Sequence, residues 1–127
     1  MKGAPILLVE ADPFYAGILA SKFEQEHLDV VVSETVSSAK KILARHLPSA
    51  VVLDVGMEEG GGFEFLADVR GTYAKEILPV CVLTELGDRE AIQKGLMLGA
   101  NAYLLKGHFV PIEVVRKVKQ VVSLARR

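Results

Sequence analysis

The chain has no tryptophan and a single cysteine, Cys81, among its 127 residues. One thiol cannot close an internal disulfide, which excludes the disulfide-stapled secreted scaffolds. Cys81 lies in the apolar run Pro79-Val-Cys-Val-Leu, where a buried and inert thiol is expected. A basic excess is missing too. Lys and Arg number 15 against 16 Asp and Glu, and the net charge of −1 leaves no footprint for nucleic acid. The terminal Arg126 and Arg127 read as a solvated helix end. No apolar run reaches the ~20 residues of a membrane span, and no signal peptide is recognisable, so a cytoplasmic protein away from the membrane is expected. His27, His46 and His108 are scattered without metal-ligand spacing. Linkers, repeats and low-complexity segments are absent apart from Gly60-Gly61-Gly62. The length suits one domain over residues 1–127.

What is present is a globular composition, 50% hydrophobic and 24% charged, sufficient for a true core. Five short apolar runs punctuate it: Pro5 to Val9, Val30 to Ser33, Ala50 to Val55, Leu78 to Leu83 and Ala102 to Leu105. Three are nearly continuous, as in strands buried on both faces of a parallel sheet. Between and after them run helical stripes: Phe14, Ile18, Leu19 and Phe23; Val36, Ala39, Ile42 and Leu43; Phe63, Phe65, Leu66 and Val69; Ile92, Leu96 and Met97; and Val114, Val115, Val118, Val121 and Val122. Asp12-Pro13 has the form of an N-cap followed by a first helical residue, Pro48 closes the second helix, Pro79 opens a strand, and Pro111 starts the final helix. The order is β-α five times over. Such alternation with short connections requires an α/β fold, a doubly wound parallel sheet with right-handed crossovers and helices on both faces.

In such sheets the working site lies beyond the carboxyl ends of the strands. There the sequence places Glu10, Asp54, Thr84 and Lys106, one at the end of each of four strands. Taken singly, each has an ordinary structural explanation: a turn-forming Asp, a strand Thr, a solvated Lys, a loop Glu. Their coincidence at one sheet edge points to a site.

Here the chain resembles the receiver domain of bacterial two-component response regulators. The resemblance covers the whole length and rests on Ile6-Leu-Leu-Val-Glu10, Val51-Val-Leu-Asp54, Gly62-Phe-Glu-Phe-Leu66, Pro79-Val-Cys-Val-Leu-Thr84 and Gly99-Ala-Asn-Ala-Tyr-Leu-Leu-Lys106. It implies a five-stranded sheet of flavodoxin-like strand order 2-1-3-4-5. It implies Asp54 as phosphoacceptor for a histidine kinase, Thr84 and Lys106 as the groups that bind the phosphoryl, and Tyr103 as a switch residue whose rotamer follows Thr84. Output would pass through the fourth helix, fifth strand and fifth helix to an effector domain or protein, the same face serving for a homodimer. Mg²⁺ would be held by Glu10, Asp54 and the backbone carbonyl of Gly56. The domain would be a regulatory phosphoacceptor, not an enzyme beyond its own phosphoryl transfer, with no contact to nucleic acid or membrane.

The sequence also departs from that family. Where two adjacent acids usually end the first strand, it has Glu10 and Ala11, and alanine coordinates nothing. Asp12 is next in line but is expected to be committed as a helix cap. Mg²⁺ binding is therefore expected to be weak or absent. Gly107 replaces the proline usual after the lysine, three glycines loosen the loop after Asp54, and Glu85 follows Thr84 where a small residue is usual. Two readings follow: a receiver driven by phosphorylation of Asp54, favoured by the surviving nucleophile, hydroxyl and lysine, or a receiver-fold interaction module that acts without phosphorylation. A flavodoxin-type cofactor protein fits less well, because Glu10-Ala-Asp-Pro would repel phosphate.

Overall fold

The computed structural model describes residues 3–125, so Arg126 and Arg127 lie outside the described residues. The elements alternate: β1 (Ile6–Val9), α1 (Pro13–Gln25), β2 (Val30–Ser33), α2 (Val36–Arg45), β3 (Ala50–Leu53), α3 (Gly62–Thr72), β4 (Val80–Thr84), α4 (Arg89–Met97), β5 (Ala102–Leu105) and α5 (Pro111–Ala125). The strands form one parallel sheet of order β2-β1-β3-β4-β5. β1 lies between β2 and β3 and sits in register with both, Val9 opposite Ser33 and Leu53. That register sets Glu10 and Asp54 side by side, each one residue past its strand. The amide of Glu10 donates to the Ser33 carbonyl and that of Asp54 to the Val9 carbonyl.

Because β1, β3 and β4 are covered on both faces, their side chains are buried without alternation. Successive residues feed two cores. Leu7, Val9, Val51, Leu53, Val80 and Val82 pack with α2 and α3. Ile6, Leu8, Ala50, Val52, Cys81 and Leu83 pack with α1 and α5, where Val114, Val115, Val118 and Val121 are the buried stripe. These valines are core, as their spacing indicated. The edge strand β2 is largely exposed through Val31 and Val32.

Local signals account for the helix ends. Asp12 caps α1, its Oδ1 accepting the Phe14 amide at 3.0 Å with Pro13 next. Thr35 caps α2 through Ser38, and Asp88 caps α4 through Ala91. Glu59, in the loop after β3, reaches across to accept the Val36 amide at 2.8 Å, a second acceptor for the start of α2. At the start of α3, Gly62 lies so close to Val55 that an added Cβ would meet Val55 Cα at 2.7 Å. No larger residue fits there without moving backbone.

Three stripe residues, in two helices, behave differently from expectation. Phe14 is 76% exposed; α1 buries Leu19 and Phe23 as their spacing indicated, with Ala16 where Phe14 was expected. In α4, Leu96 and Met97 are exposed and the buried residue is Gly95. In both helices the apolar spacing tolerated a small rotation, which brings a small residue, Ala16 in α1 and Gly95 in α4, to a buried position.

Candidate functional site

The carboxyl ends of β1, β3, β4 and β5 bring Glu10, Asp54, Thr84 and Lys106 into one crevice. Asp54 is 8% exposed and Glu10 only 3%, so both acids are buried beneath the loops. The Thr84 hydroxyl donates to Asp54 Oδ1 at 2.7 Å, and the Gly56 amide donates to the same oxygen at 2.8 Å. Lys106 Nζ lies 3.0 Å from Asp54 Oδ2 and 2.6 Å from Glu10 Oε1. Glu10 Oε2 accepts the Asp12 amide at 3.0 Å. Buried acids require such partners, since an unpaired carboxylate in a low-dielectric interior is strongly disfavoured. Burial by itself pushes the Lys106 ammonium down, but its hydrogen bonds to Glu10 and Asp54 outweigh this and hold it above 10.5. Glu85 is exposed.

Tyr103 packs at the rim. Its hydroxyl donates to the Leu86 carbonyl at 2.8 Å, two residues beyond Thr84. Its ring fills the space over Gly95, where an added Cβ would meet ring carbons at 2.7 and 2.8 Å. Burial raises the Tyr103 phenol above 10.0, with Asp88 and Asp54 adding to the shift.

The residues present do not fit a divalent ion. Ala11 has no donor, and Asp12 Oδ1 is engaged with the Phe14 amide. Each oxygen of Glu10 and Asp54 already has a protein partner, with Lys106 shared between the two acids. Mg²⁺ demands near-octahedral geometry and gives up water reluctantly, so one buried acid pair already bridged by an ammonium is a poor host. No group of three or more His, Cys, Asp or Glu among the described residues has metal-binding geometry.

One neighbour escaped the sequence reading. Tyr15, on the first turns of α1, places its ring 4.8 Å from Lys106 Nζ, within cation–π range. Its hydroxyl is buried without a partner, and burial raises it above 10.0, more than Lys106 lowers it. The stripe that begins at Phe14 hid it. Once α1 is rotated so that Ala16 faces the sheet, Tyr15 swings toward the end of β5.

Known proteins resemble the chain in sequence and fold. Residues 6–119 match the family described as response regulator receiver domain. An uncharacterized 14.6 kDa protein of Leptolyngbya boryana is 37% identical over 115 residues, covering 91% of this chain and 87% of that protein. The phosphate regulon transcriptional regulatory protein PhoB of Escherichia coli is 30% identical over 116 residues, covering 91% of this chain but 50% of PhoB, so the chain spans about half the length of that regulator. Among solved structures, the BeF₃-activated N-terminal receiver domain of Klebsiella pneumoniae RstA superposes with a TM-score of 0.84 at 27% identity, covering 97% of this chain and 99% of that one. With the strand order, the convergent Asp54, Thr84 and Lys106, and a match spanning nearly the whole described chain, the protein belongs to the response regulator receiver domain family of two-component systems.

Proposed function

We propose that the chain is a signalling receiver in which Asp54 accepts a phosphoryl group from the phosphohistidine of a kinase. One observation carries this reading: the Thr84 hydroxyl at 2.7 Å and the Lys106 ammonium at 3.0 Å both rest on the Asp54 carboxylate. An Asp54 oxygen attacks phosphorus and forms the acyl phosphate bond, while the P–N bond breaks and its electron pair stays on the imidazole nitrogen. Thr84 and Lys106 are placed to hand their hydrogen bonds from the carboxylate to phosphoryl oxygens as charge spreads onto them. With two acids and one ammonium in the crevice, the net charge opposes the incoming anion, and transfer is expected to be slow.

The switch residues support a readout toward α4, β5 and α5. Thr84 Oγ1 also accepts the Leu86 amide at 3.4 Å, and Leu86 holds Tyr103. Moving the Thr84 hydroxyl onto a phosphoryl group would displace the loop that latches Tyr103 over Gly95. That face would then meet an effector domain, a separate protein or a second copy.

Incubation with acetyl phosphate or phosphoramidate, followed by intact mass measurement, tests the reading. The expected result is a single phosphoryl adduct, absent from Asp54→Asn. No adduct under any condition favours the interaction-module reading, in which the Asp54–Lys106 pair is permanent.

A further inference from the structure

We infer that Lys106 is the crevice's resident counter-cation in place of a divalent metal, and that Tyr15 is the positioning residue that keeps it there. The inference concerns the unphosphorylated protein and does not depend on whether Asp54 is ever modified.

The geometry leads there by three steps. First, the ammonium sits between the two acids, 2.6 Å from Glu10 and 3.0 Å from Asp54, so one monovalent charge serves both. A metal would have to displace it or share the same oxygens. Second, little in the backbone aims the lysine. Lys106 begins a short 3₁₀ turn and is followed by Gly107, around which an added Cβ would meet nothing within 4 Å. A lysine side chain on so open a turn has many rotamers to choose from. Third, the Tyr15 ring stands 4.8 Å from Nζ on the α1 side, and the Lys106 side chain as a whole is only 14% exposed. The ring's negative face is suited to a partly desolvated cation. The Tyr15 hydroxyl has no hydrogen-bond partner, so the ring and not the phenol does the holding.

The test is the Mg²⁺-dependent increment in melting temperature of the full chain, measured at constant ionic strength in mildly alkaline buffer. A ligand that binds only the folded state raises the melting temperature. Wild type is expected to show no increment at millimolar Mg²⁺. Ala11→Asp, which restores a donor, and Lys106→Met, which frees both acids, are expected to gain one of several degrees. Tyr15→Leu is expected to gain a smaller increment because the loosened lysine yields to the ion. Tyr15→Phe, which keeps the ring, is expected to match wild type. A purely structural tyrosine would lower the Tyr15→Leu melting temperature equally with and without Mg²⁺, and that result overturns its positioning role. An increment in wild type equal to that of Ala11→Asp, or none in Lys106→Met or Ala11→Asp, overturns the inference. Should Lys106→Met fail to fold, calorimetric titration of Mg²⁺ into wild type and Ala11→Asp decides the question: heat of binding in both, or in neither, overturns it. No phosphoryl donor enters these measurements, so they fail or succeed apart from the phosphoacceptor reading.

Discussion

At the scale of single residues, the same substitution should have opposite signs in two helices. Gly17 in α1 has nothing within 4 Å of an added Cβ, so Gly17→Ala should stabilise the protein by about 1 kcal/mol through helix propensity alone. Gly95→Ala makes the same gain but drives a methyl into the Tyr103 ring at 2.7 Å. Overpacking of this kind costs about 1–3 kcal/mol, so a net loss of stability in urea unfolding is expected, with a changed Tyr103 environment by NMR. Cys81 is fully buried, and burial pushes its thiol up to about 12. It should resist a disulfide-exchange reagent near neutral pH until the protein is denatured. The convergence of Asp54, Thr84 and Lys106 was legible in the sequence because strand ends can be counted. Tyr15 was not, because a contact between a ring and an ammonium depends on how far α1 is rotated, which periodicity leaves open by a residue.

At the scale of elements, the strands were read closely and the helices less so. Nearly continuous apolar runs define β1, β3 and β4 because both faces are covered, whereas the α4 stripe misled: Leu96 and Met97 are exposed and the buried residue is Gly95. The lower end of α3 shows a device that no motif announced. The Arg70 guanidinium donates to the carbonyls of Gly99, Tyr73 and Leu78 and to Asn101 Oδ1, while Asn101 Oδ1 also accepts the Val80 amide. One side chain thus ties the end of α3 to the turns before β4 and β5. Arg70→Leu leaves these acceptors without their donor and should cost about 3 kcal/mol in chemical denaturation. Arg70→Lys should recover only part, since an ammonium lacks the planar fork that reaches all four.

At the scale of the whole molecule, five β-α alternations with short connections were enough to set a doubly wound parallel sheet, while the strand order β2-β1-β3-β4-β5 followed from the resemblance. The missing metal donor was equally visible as Ala11, but the way the crevice balances its charge required side-chain positions. That balance predicts a pH profile. Lys106 is held above 10.5, and Tyr15 and Tyr103 above 10.0, in the folded state. Each therefore contributes stability that is complete below its unfolded value and is lost as pH rises through its higher folded value. Urea midpoints should fall on the alkaline side of pH 10, and Lys106→Met should flatten part of that decline. The bond from Glu59 to the Val36 amide gives the loop leaving Asp54 a second attachment, on the opposite side of the sheet from β5. A displacement of that loop is also a displacement of the first turn of α2. Glu59→Ala removes this tie, and faster hydrogen exchange at the Val36 amide is the expected sign that the first turn of α2 has come loose from the loop.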